Sequence, residues 1–152
     1  MPSETGGRVR IQTTRFGPIE VPESTCYAFP EGMLGFPGIT RYALFDNPGG
    51  GPLKWLQAVD DPSLAFVCCD PSLFLPGYRA SVHRQDLKDI ALERVEDGYV
   101  LVVLVIGKNP SEATANLLGP LVLNVPKRLG KQQVLSESDY SSRHPVFSGS
   151  GA

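Results

Sequence analysis

Two histidines and three cysteines, with a scatter of carboxylates, are the side chains of these 152 residues to test first for catalysis or metal binding. A nucleophile needs a base within hydrogen-bond reach, and a metal needs ligands at set spacing. His83 and His144 stand in no such constellation, and His144, between Arg143 and Pro145, reads as a surface or cap residue. There is no H-E-x-x-H, C-x-x-C or G-x-S-x-G pattern and no dinucleotide fingerprint. Adjacent residues of a strand point to opposite faces, so Cys68 and Cys69 are poorly placed to pair; with Cys26 they read as reduced, mostly buried thiols. Asp60, Asp61 and Asp70 lack the further oxygens that a hard cation needs and read as turn carboxylates. Gly49, Gly50 and Gly51 are followed by neither a Lys-Ser/Thr pair nor a helix, so they make a hairpin tip and not a phosphate loop. A catalytic site thus has no support in these residues, and no metal and no cofactor are expected.

What remains is a scaffold that binds. A net charge of -2 argues against a nucleic-acid domain, because phosphate binding wants a basic face. Lys127, Arg128 and Lys131 form the one basic cluster; they support a runner-up reading, a small β-barrel binding RNA or single-stranded nucleic acid, but read first as a solvated turn. A flavin-binding barrel ranks behind both. The first residues carry no apolar leader, and no run approaches the roughly 18 apolar residues of a membrane span, so a soluble, cytoplasmic protein with no membrane partner is expected.

The elements that position any site are strands. With 14 Pro and 16 Gly, almost a fifth of the chain is turn-forming, which means many short elements. Val9, Ile11 and Thr13 alternate with polar residues, turn at Phe16-Gly17-Pro18, and resume at Ile19 and Val21 as a hairpin. Cys26 to Phe29 and Tyr42 to Phe45 follow as strands, then Lys54 to Val59 and Leu64 to Cys69, an antiparallel pair across Asp60-Asp61-Pro62-Ser63. Gln85 to Ala91 predicts the one short helix, with Leu87, Ile90 and Ala91 on its apolar face. Tyr99 to Ile106 is unbroken and β-branched, as a central strand covered on both faces would be. Thr114 to Asn124 is a corner: Thr114 and Asn116 offer side-chain hydrogen bonds, Gly119 and Pro120 bend the chain, and Leu121 to Val125 restart a strand. Lys127 to Lys131 predicts a turn and Gln132 to Leu135 the last strand, with Tyr140, Val146 and Phe147 packing back on the core. The fold expected is mainly β, a single domain of short antiparallel strands over 9–147, with a flexible tail at 1–8 and a disordered one at 148–152, and the family resemblance given below implies that it is compact and β-barrel-like.

One loop breaks the rule that turns are polar. Between Phe29 and Gly38, two prolines and three glycines carry Met33, Leu34 and Phe36. Leu34 and Phe36 either fold back to plug the end of the core or form an exposed protein-binding loop.

Several pieces in order resemble the FliW family of bacterial flagellar assembly factors. They are Thr14-Arg15-Phe16-Gly17 with Ile19-Glu20-Val21, Phe29-Pro30-Glu31-Gly32 with Leu34-Gly35-Phe36, and Asp61-Pro62 with Leu64-Ala65-Phe66. Asp70-Pro71 with Phe74 and Tyr78 follows, then Thr114-Ala115-Asn116-Leu117 with Pro120-Leu121-Val122-Leu123-Asn124, Gln132 or Gln133 with Val134-Leu135, and Tyr140 with Arg143-His144-Pro145. The resemblance implies a β-barrel-like, non-enzymatic cytoplasmic factor that binds flagellin monomers and, by partner switching, antagonises the translational repressor CsrA. A cytoplasmic flagellin chaperone has to cover an apolar helical stripe, which a groove with a few large anchors does. Phe29, Leu34, Phe36, Trp55, Phe74 and Tyr78 are the candidate anchors, core packing being the alternative for each.

Overall fold

The computed structural model describes residues 7–106, 108–135 and 139–146. Phe147 and the tail 148–152 lie outside these residues, as do 1–6 of the tail expected at 1–8. The strands are β1 Arg8–Thr13, β2 Gly17–Pro22, β3 Cys26–Ala28, β4 Arg41–Asp46, β5 Lys54–Ala58 and β6 Ala65–Cys69, then β7 Tyr99–Val105, β8 Thr114–Ala115, β9 Leu121–Asn124, β10 Leu129–Gln132 and β11 His144–Pro145.

The central strand is β7. One edge pairs with β6; the other is divided, Tyr99 to Leu101 lying against β9 and Leu104 with Val105 against β8. The chain between β8 and β9 is the corner expected there, and Asn116 holds it, its Oδ1 accepting from the amides of Leu118 (3.1 Å) and Gly119 (2.9 Å). The order β7-β6-β5-β4-β3-β10-β9 then returns to β7, closing a 7-strand barrel. Its neighbours run antiparallel except at β3 and β10, whose single parallel pairing, Ala28 with Leu129, completes the ring. Period-2 alternation fills the interior: Tyr42 and Leu44 of β4 face inward with Leu56, Cys68, Leu101, Leu121 and Leu123, while Ala43 and Phe45 face out. The outer face of β4 is not wet, because the β1–β2 hairpin lies on it through Ile11 and Val21.

The short strands β8 and β11, which put His144 in a sheet and not on a surface cap, were not expected, and the predicted helix and last strand both differ from expectation. The helix is a 3₁₀ helix, Arg84–Ile90, in which Leu87 and Ile90 are buried but Ala91 is exposed, at φ 60. Residues three apart eclipse in a 3₁₀ helix, so Leu87 and Ile90 share its face and the chain leaves through a left-handed residue before Ala91 can join them. The last barrel strand is β10, three residues earlier than Gln132 to Leu135, because the preceding turn is completed at Arg128, with φ 55. That shift puts Lys131 inside a strand, on the outer face that the 3₁₀ helix covers. Lys131 is buried, its ammonium donating to the Asp86 carbonyl (2.6 Å) and meeting the Asp89 carboxylate (3.2 Å). Lys131→Met should therefore cost about 1–3 kcal/mol, read as a lower urea midpoint at unchanged slope.

The cysteines are free, with Cys68 and Cys69 buried and Cys26 half-buried. Burial pushes the Cys68 thiol up to about 12 and the Cys69 thiol to about 11, so neither is a thiolate at neutral pH. The aspartates serve turns: Asp61 accepts from the amide and hydroxyl of Ser63, and Asp70 does the same for Ser72.

Candidate functional site

The apolar loop after Phe29 closes one end of the barrel by dividing its side chains. Phe29 is fully buried, edge-on to Tyr42 at 5.2 Å, and Met33 is 2% exposed. Leu34 and Phe36 are 53% and 39% exposed, so neither plugs the core as one of the two expectations had it. Met33 fills that role, and a bridge from Met33 to Phe36 turns the chain outward between them. Phe36 touches Phe66 edge-on at 6.0 Å. The side chains that border the mouth enclose an open groove of ≈ 470 Å³: Met33 and Leu34 from the loop, Phe66, Val103 and Val105 from β6 and β7, Thr114 and Asn116 from the corner, Gln132 from β10, and Ser142 with Arg143. Val105, at 67% exposure, and the neighbouring Ile106, at 42%, lie beyond the last β6–β7 pair, Val67 with Leu104. The strands have parted there, and apolar side chains that would otherwise pack face solvent.

The other candidate anchors are elsewhere. Phe29 is in the core and is no surface contact. Trp55 is half-buried on the outside of β5, edge-on to Phe16 at 5.3 Å, beneath the Arg15 guanidinium at 4.7 Å, with its indole N–H donating to Asn47 Oδ1 (3.1 Å). Phe74 and Tyr78 belong to the strap across β7 and β8: Phe74 stacks on His144 at 5.9 Å, and the Tyr78 hydroxyl donates to the Leu117 carbonyl at 2.7 Å. Burial raises the Tyr78 phenol, which stays protonated and keeps that bond. Of the six, Leu34 lines the groove and Phe36 lies beside it against Phe66, while Phe74 and Tyr78 pack on one cluster away from it. Phe66, Val103, Val105 and Arg143 were not foreseen, although Val105 and Ile106 already stood at the end of an apolar run longer than β7.

The basic cluster dissolves as a patch. Lys127 and Arg128 are exposed on the turn, but Lys131 is inside, bound to Asp89. Two cations on a turn give little of the continuous basic groove that single-stranded nucleic acid needs.

Glu31, exposed in the same loop, lies beside Asp89. A hydrogen bond shared with Asp89 raises the Glu31 carboxyl, against the pull of Lys131. Burial opposes ionisation of Asp89, but the hydrogen bonds from Glu31 and Lys131 outweigh it and hold that carboxyl low. Asp89 thus contributes stability that is present above its unfolded pKa and lost as pH falls. The raised Glu31 contributes stability at low pH that is lost as pH rises through its folded pKa. A glutamine donates to Asp89 at every pH, so Glu31→Gln should gain in melting temperature relative to the wild type between pH 4 and pH 7; a difference that stays flat would count against the shared proton.

Residues 10–146 match the family described as FliW protein. The chain belongs to the FliW family. It is similar to the flagellar assembly factor FliW of Natranaerobius thermophilus, 38% identical over 144 residues that span 94% of this chain and 95% of that one. It is likewise 38% identical to the Leptospira biflexa flagellar assembly factor FliW, over 91% of this chain and 92% of the relative. A crystal structure of the flagellar assembly factor FliW superposes with a TM-score of 0.84 at 32% identity, covering 91% of this chain and 97% of the other. Pieces that carried the FliW resemblance, distant in sequence, meet at the barrel mouth: the loop from Phe29 to Phe36, the Thr114 to Asn116 corner, Gln132, and Arg143. Among the described residues no helix is long and apolar enough to cross a membrane.

Proposed function

We propose that this protein is a non-enzymatic, cytoplasmic flagellar assembly factor that binds flagellin monomers and, by partner switching, antagonises CsrA to control flagellin synthesis. The observation that carries the reading is the groove at the barrel mouth, where Leu34 and Val105 stay exposed beside Phe66 and Val103, with Phe36 exposed next to it against Phe66. Contiguous exposed apolar side chains on a soluble domain mark interaction sites. A flagellin chaperone has to shield apolar helical surface before assembly, and a rigid barrel end with aliphatic and aromatic anchors suits that task. Accumulating flagellin occupies the factor and leaves the repressor free; export of flagellin releases the factor to bind the repressor.

Calorimetric titration with monomeric flagellin of the source organism, at low and then high salt, tests the first half. Binding of about -8 kcal/mol or stronger that persists at high salt is expected, because an apolar interface is little screened. Absence of binding at both salts defeats the proposal. Adding CsrA to the preformed complex tests the second half, since only a ternary experiment separates one shared surface from two coupled ones. Phe36→Ala should weaken flagellin binding about tenfold or more while costing about 1 kcal/mol of stability, given its partial exposure. A large stability loss with unchanged affinity would assign Phe36 to the core instead.

A further inference from the structure

We infer that the groove at the barrel mouth takes an α-helix whose apolar ridge carries a carboxylate, and that Arg143 is the residue that pairs with it. The inference deepens the flagellin reading and rests on it. Two observations lead there. First, the backbone on the corner side of the groove and in its loop is engaged. Val105 of β7 is paired with Thr114 of β8, and Met33 is bridged to Phe36. The amides that line the groove are already engaged: Gln132 Oε1 accepts from the Leu34 amide (3.0 Å), Gln132 Nε2 donates to the Gly119 carbonyl (3.0 Å), and Asn116 Oδ1 holds the corner. An extended peptide binds a sheet by exchanging main-chain hydrogen bonds with a free edge, and on the β8 side of the mouth, next to Arg143, both edges are taken by β7 and β11. An occupant that enters it must satisfy its own backbone, which a helix does. Second, the lining is electrostatically one-sided. Arg143 is its only ionisable side chain, and no carboxylate borders it. Among the described residues the Arg143 guanidinium has no ion pair; only its backbone amide is bonded, to Ser141 Oγ at 2.9 Å. An exposed guanidinium at the rim of an apolar groove presents forked donors that match a carboxylate, so it selects an acidic helix over a basic one and sets its register.

The test pairs Arg143→Gln with Arg143→Lys, and with Arg15→Gln as a control cation over Trp55 on a different face. Titrated with monomeric flagellin, Arg143→Gln should bind about tenfold more weakly and lose the modest weakening with salt that a single rim ion pair gives the otherwise salt-resistant wild type. Arg143→Lys should recover part of the affinity, and Arg15→Gln should match the wild type. If the wild type binds flagellin and Arg143→Gln binds equally well with the same salt dependence, the assignment of Arg143 and its carboxylate is overturned while the flagellin reading stands. If the wild type does not bind flagellin, that reading has failed. The groove is then judged by a stapled helical peptide with leucines at i, i+3, i+4 and i+7 and one flanking glutamate, against its glutamine twin. A preference for the glutamate peptide that vanishes in Arg143→Gln keeps the inference; equal binding of the twins, or none, overturns it.

Discussion

Gln57→Glu is expected to unfold the protein at neutral pH or bring it close to unfolding. Gln57 is fully buried on the outward side of β5, between Ala43 and Ala65, where the turn of 60–64 folds over it. Its Nε2 faces four carbonyl oxygens, those of Ala58 (3.0 Å), Asp61 (3.2 Å), Pro62 (3.3 Å) and Leu64 (3.2 Å). The same turn receives the first hairpin, since the Thr14 amide donates to the Pro62 carbonyl at 2.8 Å. A carboxylate in that cage would be desolvated and would meet acceptors alone, a loss of about 3 kcal/mol or more out of a typical total of 5–15. Gln57→Leu should be milder, about 1–2 kcal/mol, because three of the four carbonyls also accept backbone amides, from Leu64, Thr14 and Ala58. The introduced carboxyl can escape by staying protonated, which raises its pKa in the fold. The stability of Gln57→Glu should accordingly be greatest below about pH 4 and fall as pH rises through that raised value, with no counterpart in Gln57→Leu. Urea unfolding followed by Trp55 fluorescence across pH measures both; glutamate and leucine variants of equal stability at pH 7 would mean that the carbonyl cage is open to water.

The strands were legible because period-2 alternation and turn residues are local signals, and β1 to β7 lie where those signals put them. The barrel's closure was not, because it depends on β3 meeting β10 in parallel through Ala28 and Leu129, residues a hundred apart that share no turn. Lys131 shows how a basic residue misleads: Leu129 and Lys131 alternate with Gly130, but nothing local says that a 3₁₀ helix from 84–90 will cover that face. Gly130 is the reciprocal case. It stays glycine-sized because a Cβ there would lie 2.6 Å from Leu123 and 2.8 Å from the Phe29 ring, so the interior of β10 is filled by a residue from β3's end and not by its own side chain. At the site, composition revealed that the loop after Phe29 was too apolar for a turn. It could not divide Phe29 and Met33 from Leu34 and Phe36, since all four are large and apolar; the division is made by the backbone.

That backbone is set by Gly32, and Gly32→Ala is expected to remove the proposed flagellin binding and much stability together. Gly32 is buried with φ +70, its amide donating to the Phe29 carbonyl at 2.8 Å. A Cβ there would collide with the Phe36 carbonyl oxygen and lie 2.8 Å and 2.9 Å from the Pro37 Cα and carbonyl oxygen, all of them main chain. Main chain cannot swing aside as a side chain can, so the whole return of the loop from Met33 to Ile39 has to move. Left-handed strain alone costs about 1 kcal/mol, and displacing Met33 from the core adds a cavity, for roughly 3 kcal/mol in all. The expected binding loss follows from the same geometry: with Met33 and Leu34 displaced, the loop side of the groove no longer exists. Phe29→Leu separates the two effects, because it should lower the melting temperature by shrinking the core beneath the loop and leave the rim residues exposed as they are. Flagellin affinity measured below the melting point of both variants should fall at least tenfold for Gly32→Ala and little for Phe29→Leu. Equal losses would mean that overall stability, and not the shape of the mouth, governs binding; a Gly32→Ala protein with native affinity would place the binding surface away from this end of the barrel.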